Sequence, residues 1–164
     1  MPAIAAINNL LSQANSESLE EILYCSVAVP LLQTKIQLDR ILAAAHRRNL
    51  AAGITGMLMY YGGGFIQILE GPKQSIHQTF ENHISKAAGH TAVNIVCRNE
   101  ISNRSFGDWT MGFIGSAEIE SIIHFSLSGV LMNMLTAEAK KRSLSVGVRG
   151  FVSIYNQMRQ SPYR

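Results

Sequence analysis

Charge is what this chain has least of. Only 15% of its 164 residues are Asp, Glu, Lys or Arg, the net charge is +3, and the basic residues are scattered without a long Lys/Arg run. That pattern argues against a nucleic-acid surface. Cysteine is scarcer still: Cys25 and Cys97 form neither a C-x-x-C motif nor a disulfide framework, so they read as free thiols of a cytoplasmic protein. The first basic residue, Lys35, comes too late for the positive start of a signal peptide. Long apolar runs are missing too. The most apolar late stretch, Phe113 to Leu135, is broken by Glu118, Glu120, His124 and Asn133, which argues against a membrane span and for a buried helix. The five histidines are dispersed, with no H-x-x-x-H or His/Cys/carboxylate cluster to hold a metal, and no Ser-His-Asp or Cys-His arrangement is evident. The glycine run between Tyr60 and Phe65 lacks the strand-to-helix G-x-G-x-x-G or G-K-[ST] pattern of a phosphate loop and reads as a hairpin turn.

What is present is a core. At 47% hydrophobic the composition suits one compact domain with an appended subdomain and excludes disorder. Glu21 to Val29 reads as a strand buried on both faces and closed by Pro30. From Thr34 to Arg48, Leu38, Ile41, Leu42 and Ala45 follow the i, i+3, i+4, i+7 spacing of a helix packed on a sheet. His46, Arg47 and Arg48 crowd its end, where the helix dipole favours them. Gly53 to Tyr61 alternates as a second strand, Gly62-Gly63-Gly64 turn the chain, and Gly64 to Gly71 returns as the other arm of a hairpin. Pro72 opens a second helix with Ile76, Phe80, His83, Ile84 and Ala87 on its inner face and Gly89 as its stop. Thr91 to Arg98 gives a fourth strand, and Phe106 to Ile114 a fifth with Trp109, Met111 and Phe113 on one side.

The order β-α-β-β-α-β plus one strand predicts an α+β, ferredoxin-like sheet with both helices on one face and the first and third strands central. Three parts follow: an extension over 1–17, the sheet domain over 18–115, and a helical cap over 116–164. Ile4, Ile7, Leu10 and Leu11 suggest a short helix in the extension. In the cap, Ile119, Ile122, Ile123, Leu127, Val130, Leu131 and Met134 form one stripe. Leu144, Val148, Phe151, Val152, Tyr155 and Met158 form another, weakened by Gly147 and Gly150. These helices either cover the bare sheet face or form a subunit contact.

One residue breaks the apolar logic of the third strand. Alternation puts Gln67 on the same face as Phe65 and Leu69. A buried amide left unpaired costs about 1–3 kcal/mol, so Gln67 needs partners on both its oxygen and its nitrogen. Tyr24, on the neighbouring central strand, is the nearest candidate.

Four runs then combine: Tyr24-Cys25-Ser26-x-Ala28; Arg48-Asn49 leading to Gly53-Ile54-Thr55-Gly56-Met57-Leu58-x-Tyr60; Gly64-Phe65-x-Gln67-x-Leu69-Glu70-Gly71; and Arg104-Ser105-Phe106-x-x-Trp109-x-Met111-Gly112. Together, in this order and spacing, they resemble the BLUF domain, the sensor of blue light using flavin, over residues 18 to 115. The resemblance implies a flavin, usually FAD, with FMN and riboflavin as the other candidates, its ring held between the two helices beside Tyr24 and Gln67. The Gln67 amide would bridge the tyrosine hydroxyl and the ring, Asn49 would bond the ring's polar edge, and Ile41 and Ile84 would flank its faces. Met111 completes the implied set. Light in this family moves an electron and a proton from the tyrosine toward the flavin, after which the glutamine rearranges. Trp109 and Met111 match the pair that reports its state. No substrate is turned over, so the chain is not read as an enzyme. The implied output is a separate signalling protein, because no cyclase, phosphodiesterase or DNA-binding module follows, and the apolar C-terminal helices point to a homo-oligomer.

The chain departs from the family in its second helix. His83 stands where an Arg or Lys commonly faces the ring carbonyl, and Ala87 and Gly89 stand where Asp and Arg precede the retained His90. Placed on the inner face, His83 resists charging, so a permanent cation is lost from the site. A second reading therefore stays open: a ferredoxin-like interaction module derived from a BLUF domain, with weakened or lost flavin binding.

Overall fold

The structure, a computed structural model, describes residues 18–29, 35–107, 109–115 and 144–160. The helices expected within Met1 to Glu17 and from Ile119 to Met134 lie outside the described residues. Along the chain, β1 (Leu19–Ala28) leads to α1 (Lys35–Ala52), β2 (Thr55–Tyr61), β3 (Gly64–Pro72) and α2 (Lys73–Thr79), which continues as a π-helical turn over Phe80–Ile84. β4 (His90–Ile101), β5 (Gly112–Ile114) and α3 (Val146–Gln160) follow. The strands form one sheet in the order β4-β1-β3-β2-β5. β1 runs antiparallel to both β3 and β4, β2 antiparallel to β3, and β5 parallel to β2. This is the expected ferredoxin-like α+β arrangement with an added fifth strand.

Burial divides the sheet into two faces. On one, Ile22, Tyr24 and Leu69 pack with Ile76, Phe80 and Ile84, while Ala28, Leu58 and Phe65 meet Leu38, Ile41 and Leu42 of α1. On the other, Leu23, Met57, Met59, Ile66 and Ile68 pack under Val148, Phe151, Val152 and Tyr155 of α3. α3 therefore covers the sheet face that α1 and α2 leave bare. Ser145 caps it, its Oγ accepting from the Val148 N–H at 3.2 Å. Gly147 and Gly150, unfavourable by propensity, are close-approach points. A Cβ at Gly147 would lie 2.7 Å from the Glu21 carboxyl carbon, and one at Gly150 3.2 Å from Leu23 Cδ2.

Four boundaries differ from the sequence expectation. α1 runs on to Ala52 because buried Asn49 extends its inner stripe past Ala45. His46, Arg47 and Arg48 thus precede the last turn, and the helix dipole does not account for them. The second helix stops at Ile84, well before Gly89, and its π turn over Phe80–Ile84 shifts the phase so that His83 is carried outward while Ile84 stays buried. β4 pairs with β1 along its whole length, out to His90 and Ile101. β5 shrinks to three residues. The segment before it spends its backbone donors elsewhere: the Ser105 and Phe106 N–H groups go to the Glu70 carboxylate, and the Trp109 N–H bonds Phe106 O in a turn. Among the described residues no helix is long and apolar enough to cross a membrane.

Gly56 marks the tightest approach in the hairpin, since a Cβ there would fall 2.1 Å from the Ile68 carbonyl oxygen. Rigid strand backbone cannot yield, so Gly56→Ala is expected to lower the unfolding free energy by about 3 kcal/mol. A wild-type denaturation midpoint in urea would contradict this packing.

Candidate functional site

The antiparallel register of β1 and β3 sets Tyr24 directly across from Gln67. Both side chains are buried, at 3% and 6% exposure, and the Tyr24 phenol donates to Gln67 Oε1. The other end of the amide is also used: Gln67 Nε2 donates to Met111 Sδ at 3.2 Å. Burial pushes the Tyr24 phenol well above its usual pKa, with the Arg48 charge pulling the other way. Tyr24 is therefore a permanent proton donor in the ordinary pH range.

Above this pair, between α1, the end of α2 and the sheet, lies a cavity of about 400 Å³. Ile41, Ala44 and Ala45 of α1, Leu58, Phe65 and Leu69 of the sheet, and Ile84 make its apolar wall. Tyr24, Asn49, Gln67 and His90 place polar atoms on it. A ligand-sized slot, mostly apolar with a few aimed hydrogen-bonding groups, suits a planar ring with polar edges. His90 is itself fixed, one ring nitrogen 2.7 Å from Ser26 Oγ and the other 2.8 Å from Ile84 O.

Of the residues expected at a ligand, Tyr24, Ile41, Asn49, Gln67, His83 and Ile84 all line the cavity. Met111 does not line it, and meets the site through Gln67. His83 is exposed at the rim, so the argument that burial opposes its charging does not hold. Ala87 and Gly89 also line the cavity. Sequence reasoning missed Arg40 and Ala44, although Arg40, Ala44 and Arg48 share one helical stripe that was there to be seen.

Trp109 and Met111 were expected side by side on a strand. They belong instead to an irregular strap between β4 and β5 and serve opposite faces. Trp109 packs against the α3-side core, and Met111 against the clusters on the cavity side. The strap is held at several points. Arg104 bonds Gly53 O at 2.6 Å and Thr55 Oγ1 at 3.1 Å, the Gly56 N–H bonds Trp109 O at 2.9 Å, and Asn49 Nδ2 bonds Thr110 O at 2.7 Å. Asn49 thus lines the cavity and also fixes the strap.

Fold and site define a ferredoxin-like domain that presents a tyrosine–glutamine pair to a ligand cavity between its helices. The comparisons give that class its family: residues 19–112 match BLUF, sensors of blue-light using FAD, and the chain belongs to this family. Photoactivated adenylate cyclase subunit beta of Euglena longa is 32% identical over 102 residues, 62% of this chain but 12% of that protein. The chain therefore spans a small part of the curated relatives it matches. Among solved structures, BlrB, a BLUF protein in its dark state, superposes with a TM-score of 0.61 at 25% identity, covering 87% of this chain and 96% of that one. Klebsiella pneumoniae BlrP1 with FMN and cyclic diGMP gives 0.63 at 25% identity, covering 87% and 35%. BLUF domains bind flavin and act as light sensors rather than as enzymes themselves.

The Gln67–Met111 contact is testable without any ligand. Met111→Leu keeps the volume but removes the sulfur acceptor from a buried amide N–H, at an expected cost of about 1 kcal/mol. Urea unfolding of the flavin-free protein measures it, and an unchanged midpoint would show that the contact carries no weight.

Proposed function

We propose that this protein is a blue-light photoreceptor that binds FAD beside Tyr24 and Gln67 and signals to a separate effector protein. The observation that carries the reading is the Tyr24–Gln67–Met111 chain on the wall of an apolar, ligand-sized cavity. Ile41 and Ile84 would flank the ring, Asn49 and Gln67 would meet its polar edge, and Arg40, Arg48 and His83 would stand at the remaining wall and rim. A bound flavin supplies the absorption of blue light and an electron acceptor.

The chain's own residues supply the switch. Tyr24 holds a proton it can give up only transiently, because burial opposes the charged form. Gln67 has two orientations of unequal fit. With Oε1 toward Tyr24 its nitrogen serves Met111, whereas turned over it sets an acceptor against the thioether, which cannot donate. The amide's orientation thus decides whether the Met111 contact exists. Two states separated by a few kcal/mol are what a switch requires.

His83, Ala87 and Gly89 favour a second reading, since all three line the cavity without the charged groups the family commonly places there. In that reading the domain keeps the fold and serves as an interaction module with weak flavin binding.

One experiment separates them: the visible spectrum of the purified protein in the dark, after a blue flash, and during recovery. A flavin spectrum that shifts reversibly to the red supports the sensor, and a colourless protein that cannot be reconstituted with FAD supports the module. Gln67→Leu is expected to retain flavin and lose the shift, and Tyr24→Phe to lose it as well. A normal light-induced shift in either variant would sink the role assigned to that residue.

A further inference from the structure

Three residues along the central strands from Tyr24 and Gln67, a second cross-strand pair faces the opposite side of the sheet. Glu21 and Glu70 are direct partners across β1 and β3, and both are fully buried. Each is committed to a different segment. Glu70 accepts from the Ser105 N–H at 3.1 and 2.9 Å and from the Phe106 N–H at 3.1 Å, at the start of the strap. Glu21 accepts from the Gly147 N–H at 2.7 Å, from Ser145 Oγ, and from Asn99 Nδ2 at 3.0 Å, at the start of α3 and on β4. Two buried carboxylates side by side are costly, and neither has a cation among these bonds.

We propose that Glu70 is a positioning residue for the Gln67–Met111 contact, its charge holding the strap in place, and that Glu21 couples this hold to the start of α3. The inference draws on the sensor reading for what the contact reports, but its geometry stands without flavin. Burial, opposed by the Phe106 and Ser105 N–H groups and reinforced by Glu21, raises the Glu70 carboxyl to about 7. Ionised, it grips the two N–H groups with charge-assisted bonds; protonated, it loses that assistance and one acceptor site. The sign follows: the folded-state value lies above the usual carboxylate range, so the fold favours the protonated acid and the Glu70 contribution to stability declines as pH rises toward 7. Strap grip runs the other way, tightening as stability falls. By linkage, whatever alters the α3 hold on Glu21 alters the Glu70 titration by the same coupling.

The described groups that face this pair are few. Arg104 bonds the Glu70 main-chain carbonyl at 3.2 Å. Cys97 on β4 is raised by burial and then by the Glu21 charge. At the far end of the strap, His46 of α1 sits 2.5 Å from Thr110 Oγ1 and is the rival source of any pH response.

The chain has one tryptophan, and it is Trp109 on the strap. Its fluorescence in flavin-free protein reads the strap directly. Emission is expected to move to longer wavelength as pH falls, with a midpoint near the Glu70 value of about 7. Glu70→Gln should abolish the transition, Glu21→Gln should lower its midpoint by removing the neighbouring charge, and His46→Gln should leave it in place. Should Glu70→Gln fail to fold, Glu21→Gln decides alone. No transition in the wild type, an unchanged transition in Glu70→Gln, or an unmoved midpoint in Glu21→Gln would overturn the proposal. A transition that behaves as expected in a protein unable to bind any flavin would keep the positioning role and remove the sensor.

Discussion

The antiparallel register that sets Tyr24 opposite Gln67 is the constraint on which the rest of the site depends. Side chains alternate with a period of two, so a slip of one residue would turn Gln67 into the Met57–Ile68 core under α3, where an amide has no place. It would also turn Glu70 toward the cavity and away from Glu21. The β2–β3 hairpin turns at Gly62 and Gly63, which both take positive φ, 57° and 80°, and β1 is tied to that turn by the Ala28 N–H, which bonds Gly63 O at 2.8 Å. Packing on both faces then makes any alternative register expensive.

Because the central strands are buried on both faces, each can serve both sides of the sheet. Tyr24 and Gln67 point to the cavity, while their neighbours Leu23 and Ile68 meet α3. The strap is the segment that visits both. Met111 approaches Gln67 on one side and Trp109 enters the α3-side core on the other, joined by a Thr110 carbonyl that Asn49 holds. A change at the cavity has a short covalent route to the opposite face, through two residues and not through a long chain of packed side chains.

Much of this was legible in the sequence because it rests on periodicity and on residues out of character. Strand order, the hairpin and the isolated Gln67 follow from alternation and helical spacing, whereas spacing alone left α3 either on the bare face or at a subunit contact. Less legible were features decided by tertiary hydrogen bonds. Nothing local in Phe106 to Met111 reveals that Glu70, far away in sequence, claims the donors that would have made a strand. Alternation therefore placed Trp109 and Met111 on one side when they serve two. His83 failed for a related reason: a π turn inserts a residue into the helical count, and His83 leaves the inner face that Ile76, Phe80 and Ile84 keep. The extra turn of α1 depended on a polar residue, Asn49, being buried by its bond to Thr110, which hydrophobic spacing does not foresee.

The strengths of the contacts on the strap settle what kind of movement the proposed switch can drive. A hydrogen bond to a thioether is weak, whereas bonds from backbone N–H groups to a carboxylate, and from Arg104 to backbone carbonyls, are charge-assisted and stronger. Turning the Gln67 amide removes only the weak one. The strap backbone, still held by Glu70, Arg104, Asn49 and Gly56, has no reason to leave the sheet. What is freed is the Met111 side chain, unbranched and able to repack at little cost. In the proposed switch the response to light would therefore be a local repacking beside Gln67, reaching α3 only to the extent that Trp109 and the Glu70–Glu21 pair convert that repacking into a change on the other face.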